Sequence, residues 1–574
     1  MNVASKNIPF TTILCFLLSV IPGVMFADSV DDAMAAVPYR QAAVASAHPL
    51  ATEAGLEILR AGGNAFDAAV AVSAALGVVE PAGSGFGGGG FFLLHRESDN
   101  KQTMIDAREK APAAATREMY LDEAGEFDRG RALNGPLAGG IPGLAAGLVA
   151  LSKDYGQLPL NESLAPAIRI AREGFAVTDR YQRLMGFRAS AMAVYPQTAE
   201  IFMPGGIENL KLGVKIIQPD LANTIESLAR DGFSGFYGGE VAKKLVSGVQ
   251  QAGGIWTLDD LAAYRVVERE PISFQYRDLK IVSAPPPSSG GIVLAETLNV
   301  LEKYDLATLD ELTRRHVIIE AMRRGYRDRA EYLGDPDFVD IPVSKLTSKS
   351  YARELAANLS LERATRSDTL PAIGAATEGQ DTTHFSVVDQ QGNRVAGTLS
   401  VNYPFGAVYA PPGTGVLVNN EMDDFSSRPL TPNAYGLVGY KANAIAPGKR
   451  PLSSMTPTFI ESSDRIGVLG TPGGSRIISM VLLGILSFHQ GQDPAEWVAV
   501  KRFHHQYLPD EVQFEKNGLS AAERSDLEQR GHTLKEISRN YGNMHAIAVE
   551  KSSGLMQAAS DPRGEGKASV ISLP

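Results

Sequence analysis

The chain has 574 residues, and 54 Lys plus Arg against 65 Asp plus Glu give a net charge of −11, which excludes a surface built to grip nucleic-acid phosphates. At 44% hydrophobic and 21% charged residues, the composition excludes disordered and fibrous classes. It fits a soluble globular protein of several domains or one large one.

Residues 1–27 read as an export segment. Lys6 is the sole charge before Asp28, and the nineteen residues Ile8–Phe26 are uncharged and largely apolar, ending at the small residue Ala27. Such a stretch nearly spans a bilayer, but Pro9, Thr11, Thr12 and Pro22 disfavour a retained anchor. The expectation is a periplasmic or secreted protein with no stable membrane anchor. Ala33-Met34-Ala35 offers a second cleavage point, so the exact site stays open. Cys15, the single cysteine, would leave with the segment, so the mature chain would form no disulfide.

Helical patterning runs from His48 to Val79, with Gly62-Gly63 closing one helix and Asn64 capping the Ala-rich run Ala65–Leu76. Gly83-Ser84-Gly85-Phe86-Gly87-Gly88 matches GxGxxG and Asp106 follows at a suggestive distance. A helix before it and the strand-like Phe91–Leu94 after it are the wrong context for dinucleotide binding, so it reads as a loop of close backbone approach. Residues 134–360 continue mostly helical, for example Asp310–Tyr326, and Ala356–Asp381 reads as an exposed linker.

Beyond the linker, Thr382–Asp389 reads as a strand, Gln390-Gln391-Gly392 as a turn and Asn393–Asn402 as the returning strand. With Gly392 left-handed, paired positions sum to 782 and Thr382 faces Ser400, with Asn402 on the same side. Arg465–Gly470 reads as a strand, Thr471–Ser475 as a tight turn, and Ile477–Phe488 as a buried helix, which puts the Gly473 and Gly474 amides near a helix start. The histidines show no metal-ligand spacing.

Asp381–Asp389 resembles the processing junction of the γ-glutamyltranspeptidases, a family of N-terminal-nucleophile hydrolases. Ser84–Gly90, Asp106–Pro112, Asn419–Phe425, Lys449–Met455, Thr471–Arg476 and Ser560–Arg563 resemble further family motifs, in the family's order, across nearly the whole mature chain. The resemblance implies an α+β fold, a four-layer αββα sandwich formed jointly by a large chain (28–381) and a small catalytic chain (382–574) after autocleavage between Asp381 and Thr382. Thr382 would be the nucleophile, its freed α-amine the base, Ser400 its hydrogen-bonding partner, and the Gly473 and Gly474 amides the oxyanion donors. Asp424, with Glu421 and Asn402, would take the α-ammonium of a γ-glutamyl substrate. Arg108, with Ser453 and Ser454, would take its α-carboxylate. Pro429–Gly436, including Tyr435, resembles the active-site lid, which points to a small substrate such as glutathione.

The activity implied is transfer of the γ-glutamyl group to water or to amino acids and peptides, without a cofactor or metal. Two alternatives are a family acylase for another amide (a glutaryl-β-lactam or poly-γ-glutamate) and an unprocessed, non-catalytic secreted binding protein.

Overall fold

Alternation of side chains along one hairpin sets the layer order of the protein. The computed structural model describes residues 39–370, 382–426, 432–434 and 436–573; residues 1–27, Asp381 and Tyr435 lie outside them. Strands Thr383–Val388 and Arg394–Ser400 pair antiparallel as Val388↔Arg394 through Thr383↔Leu399, each pair summing to 782 as the turn chemistry predicts. Gly392 is left-handed at φ 91°, and Asp389 N–H donates to the Asn393 carbonyl at 3.1 Å. The return strand ends at Ser400 rather than Asn402, because Asn402 adopts φ 71° and turns the chain.

This hairpin occupies the third and fourth places of a seven-stranded antiparallel sheet. The order is Lys567–Ser572, Gln41–Ser46, Thr383–Val388, Arg394–Ser400, Gly89–Arg96, Lys101–Ala107 and Val267–Arg269. A second, six-stranded antiparallel sheet runs Met556–Ser560, His545–Glu550, Arg465–Gly470, Thr458–Glu461, Leu279–Ser283 and Ile272–Tyr276. Both sheets mix strands from before and after Thr382.

Odd-numbered Phe385 and Val387 join the core formed with helices Pro49–Arg60, Ala65–Val79 and Leu144–Asp154. Even-numbered Val388 and Ala396 join the other core, with Phe459 and Val468 of the second sheet and Ile292, Val317 and Val481 of the helices behind it. Period-two alternation therefore turns one face of the hairpin to a helical layer and the other to the second sheet, giving the αββα sandwich. Ser386 Oγ crosses between the sheets to the His545 carbonyl at 3.1 Å. Gly470 permits the approach: a Cβ there would sit 2.3 Å from the His384 ring.

The helices start and stop where their capping residues dictate. Asn64 Oδ1 accepts from the Phe66 and Asp67 amides and Asp67 returns the bond to Asn64 N–H, a reciprocal capping box. Helix Ala65–Val79 ends directly before the glycine-bearing turn, and the strand Gly89–Arg96 follows, so the GxGxxG match has the helix-then-strand context that its sequence indicated. Ile477–His489 forms the expected apolar helix, and Glu311–Tyr332 is capped by Asp310. Among the described residues, no helix is long and apolar enough to cross a membrane.

One expectation requires correction. Residues 357–370 are half exposed, but they are also pinned at several points, which a free linker would not be. Ser367 is fully buried, its N–H donating to Asp510 at 2.8 Å, while the Thr365 N–H reaches Glu320 at 3.2 Å and the Leu370 carbonyl accepts from Tyr507 at 3.0 Å. Small polar residues read as loop in one dimension, but here they bond to Glu320, Asp510 and Tyr507, which the sequence could not show were nearby. Residues 371–381 lie outside the described residues.

The hairpin turn is held by Asp389, 3% exposed, whose carboxylate accepts from the Ala65, Gln391 and Asn393 amides and from Asn393 Nδ2 at 2.8–3.0 Å. Asp389→Ala strands these donors in the core and is expected to cost roughly 3 kcal/mol or more. The measurement is a marked drop in thermal midpoint; an unchanged midpoint would refute the role.

Candidate active site

Strand parity points Thr382 at the second sheet. His384, Ser386 and Val388 face that sheet, so Thr382, two residues before His384, faces the turn Thr471–Ser475 that continues strand Arg465–Gly470. Its neighbour Thr383 points the other way and donates its hydroxyl to the Glu80 carboxylate, which fixes the start of the strand. Thr382 is 3% exposed. The glycine loop packs on it: a Cβ on Gly83 would lie 3.2 Å from the Thr382 carbonyl oxygen, and one on Gly88 would lie 2.1 Å from that of Ser400. The close approach expected of this loop is thus at the hairpin's start.

Thr382, Ser400, Asn402, Arg108, Glu421, Asp424, Ser453, Ser454 and Gly474 line one cavity with about 280 Å³ of empty space. Every sequence-predicted site residue in the described chain except Gly473 therefore meets in one place. Gly473, at φ 142°, sits on the other side of the same turn, and Gly474, at φ 56°, opens the short 3-10 turn that leads into helix Ile477–His489. Both conformations are ones that side-chain-bearing residues rarely adopt, which is why glycine occupies both places. Ser400 Oγ accepts from the Asn402 N–H at 2.7 Å, and Asn402 Nδ2 donates to the Asn420 carbonyl at 2.9 Å.

Arg108 follows strand Lys101–Ala107 and is 1% exposed. Its guanidinium pairs with Glu421 and, at 2.5 Å, with Asp424, and Nε donates to the Pro451 carbonyl at 3.3 Å. Burial works against this charge, but the Glu421 and Asp424 carboxylates outweigh it and hold the guanidinium firmly protonated. Burial, offset by Arg108, pushes the Glu421 carboxyl up to about 7 and also raises Asp424.

Two side chains that sequence reasoning did not single out complete the electrostatics. Glu109 is fully buried, with neither carboxylate oxygen hydrogen-bonded among the described residues, and burial followed by Glu421 lifts its carboxyl well above the ordinary range. Arg329, on helix Glu311–Tyr332, donates to Ser289 Oγ at 3.0 Å and Ser454 Oγ at 3.3 Å; burial lowers it to about 10. It lies in an Arg-rich helical run, where sequence alone does not distinguish a buried arginine from solvated ones.

Asp423 and Asp424 divide their roles. Asp423 accepts from the Ala434 N–H at 2.8 Å, and Asp424 Oδ1 accepts from Asn433 Nδ2 at 2.8 Å. Both adjacent acids thus fasten Asn433-Ala434.

The paired sheets with helices outside define the fold of the N-terminal-nucleophile hydrolases. A sequence profile described as Gamma-glutamyltranspeptidase matches residues 51–571. The glutathione hydrolase proenzyme of Escherichia coli K12 is 42% identical over 539 residues, 93% of this chain and 92% of that protein. That of Pseudomonas aeruginosa is 40% identical over 92% of this chain and 94% of that protein. The crystal structure of cephalosporin acylase from Bacillus halodurans aligns with a TM-score of 0.82 at 28% identity, covering 93% of this chain and 96% of that one. The γ-glutamyltranspeptidase of Helicobacter pylori aligns with a TM-score of 0.55 at 40% identity, over 57% of this chain and 94% of that one. The chain belongs to the γ-glutamyltranspeptidase family.

Burial raises the Asp423 carboxyl to about 7, so between the ordinary carboxyl range near ~4 and pH 7 the folded state binds a proton that the unfolded chain has released. With more protons bound in the native state, stability falls as pH rises across that window. Asp423→Asn removes this dependence. Relative to wild type, its thermal midpoint is expected to climb steadily from pH 4 to pH 7; a pH-independent difference would refute the assignment.

Proposed function

We propose that the protein is an exported γ-glutamyltransferase and glutathione hydrolase, cut by its own chemistry between Asp381 and Thr382 into chains 28–381 and 382–574. The observation that carries this reading is the charge balance beside Thr382. Two carboxyls, Glu421 and Asp424, and one guanidinium, Arg108, line the cavity, and burial raises both carboxyls. A cavity with an excess of buried acid and a paired arginine is suited to a zwitterion. The ammonium of a γ-glutamyl end would take over the Asp424 and Glu421 carboxylates. Its carboxylate would take over the freed face of Arg108 and the Ser453 and Ser454 hydroxyls.

The chemistry then follows from position. The new α-amine at Thr382, with an unperturbed pKa near ~8, accepts the hydroxyl proton as the oxygen attacks the γ-carbonyl. The Gly473 and Gly474 amides stabilise the resulting oxyanion. The C–N bond of the donor breaks, the amine passes its proton to the leaving cysteinylglycine nitrogen, and a γ-glutamyl ester remains on Thr382. Water or an acceptor amine attacks that ester, and the proton returns to the threonine oxygen. No step needs a cofactor.

A second reading, an acylase for glutaryl amides, is favoured by the alignment with a cephalosporin acylase over 93% of this chain and by an acylase proenzyme of Pseudomonas sp. that is 36% identical. A glutaryl group lacks the ammonium, so it gains nothing from Asp424.

Intact-mass analysis with N-terminal sequencing is expected to find a chain starting at Thr382 in wild type and a single uncut chain in Thr382→Ala. A full-length wild-type chain would refute self-processing. Wild type is expected to cleave γ-glutamyl anilide roughly 100-fold faster, in kcat/KM, than glutaryl anilide, about 3 kcal/mol for a buried charge-assisted pair. Asp424→Asn would erase most of that preference, whereas a glutaryl preference in wild type would favour the acylase.

A further inference from the structure

Arg329 stands behind the cavity rather than in it. Ser453 and Ser454 line the cavity, whereas Arg329 and Ser289 do not, and Arg329 is 4% exposed. Its guanidinium forks to two hydroxyls, Nε to Ser289 Oγ at 3.0 Å and Nη2 to Ser454 Oγ at 3.3 Å, and it forms no ion pair with another described residue. Burial lowers its pKa to about 10, which leaves it charged at neutral pH; Asp424 and Tyr326 favour that charge and Arg108 opposes it. A buried cation without a paired carboxylate is costly and calls for an explanation.

Hydrogen accounting supplies one. A guanidinium only donates, so each serine oxygen it reaches is an acceptor there and that serine's single hydrogen goes elsewhere. Ser289 sends its hydroxyl hydrogen to the Ser453 carbonyl at 2.8 Å and its N–H to the same oxygen at 2.9 Å. It thereby forgoes a side-chain cap on helix Gly290–Leu301, the usual role of a serine at that position. The Ser453 N–H is held by the Pro287 carbonyl at 2.8 Å, and Ser453 Oγ accepts from the Met455 N–H at 3.0 Å. Neither the Ser453 nor the Ser454 hydroxyl hydrogen has an acceptor among the described residues, and both residues line the cavity. Two O–H donors are left over for a ligand, with a positive charge directly behind one of them.

The same helix steadies the other half of the site. Tyr326, three residues before Arg329 and so on the same face of helix Glu311–Tyr332, donates its hydroxyl to the Ser475 carbonyl. One helical face thus holds both the glycine turn and the serine pair.

Resting on the activity proposed above, we propose that Arg329 is a positioning residue that makes the site specific for an ionised α-carboxylate. It leaves the Ser454 hydrogen free for the cavity, steadies Ser453 through Ser289, and adds from behind a second positive charge to that of Arg108. The substrate carboxylate contacts the serines and Arg108, not Arg329. A neutral α-carboxamide still offers the serines a C=O, but it gains nothing from the buried charge.

The test compares L-γ-glutamyl anilide with its α-carboxamide as donors, and reads the ratio of their kcat/KM values within each protein, which cancels any general change in activity. Wild type is expected to prefer the carboxylate about 100-fold, and Arg329→Met to lower that ratio about tenfold, Arg108 supplying the remainder. Arg329→Lys keeps the charge and is expected to stay within about threefold of the wild-type ratio at neutral pH. A residue that only propped the serines would lower both donors together, so an unchanged ratio in Arg329→Met overturns the inference. If Arg329→Met yields no folded protein, Arg329→Lys carries the test. Burial makes an ammonium lose its proton earlier than a guanidinium, so its ratio, taken against wild type, should fall between about pH 7 and pH 9, and a flat profile overturns the inference. A wild-type protein that cleaves neither donor sinks the proposed activity. The ratio is then read from binding of L-glutamate and of its α-amide by ligand-observed NMR: a preference lost in Arg329→Met supports the role of Arg329, and one that survives overturns it as well.

Discussion

The constraint on which the rest of the structure depends is the register of one antiparallel hairpin inside a closed sandwich. Thr383–Val388 and Arg394–Ser400 are flanked on both sides by strands of the same sheet, covered by helix Ala65–Val79 on one face and by the second sheet on the other. A slip of one residue would turn Phe385 and Val387 toward the second sheet and Thr382 toward Glu80. The same alternation that builds two cores thereby aims one hydroxyl at the turn Thr471–Ser475. Placement of the Thr382 hydroxyl and core formation are a single decision.

Around that hydroxyl, the fold concentrates charge in a way that only a well-packed interior can hold. Arg108 enters from the end of a strand, Glu421 and Asp424 from a short 3-10 turn, and Arg329 from a long helix of the opposite layer. Removing water makes each of these charges sensitive to its neighbours, so burial raises the acids and Arg108 restrains them. Such a group is responsive by construction. Its carboxyls have protonation equilibria that an added cation or anion would shift.

Small residues decide how close the layers come. The Gly83–Gly90 loop packs against Thr382 and Ser400 at the two ends of the hairpin, and Gly470 brings the two sheets together at His384, where any Cβ would collide with the ring. Polar crossings follow from this closeness: Ser386 reaches the second sheet, and Thr383 reaches Glu80 at the end of a helix. The segment ending at Leu370 is likewise fastened, by Glu320, Asp510 and Tyr507.

Local physics was enough for the sequence to determine the elements nearest the chemistry. Gly392 as a left-handed turn residue set the 782 register, Asn64 and Asp67 capped a helix, and the strand, glycine turn and apolar helix of residues 465–488 fall where their pattern puts them, because neighbours in sequence supply those interactions. The resemblance of scattered motifs further identified which distant residues share a cavity, although no local pattern brings Arg108 to Asp424. Tertiary structure alone decided the rest. Arg329 and Glu109 join the site by burial, residues 357–370 are pinned by charges far away in sequence, and Asp423 serves the Ala434 backbone. Each of these depends on which surfaces lose water together, and that is a property of the packed chain rather than of any segment in it.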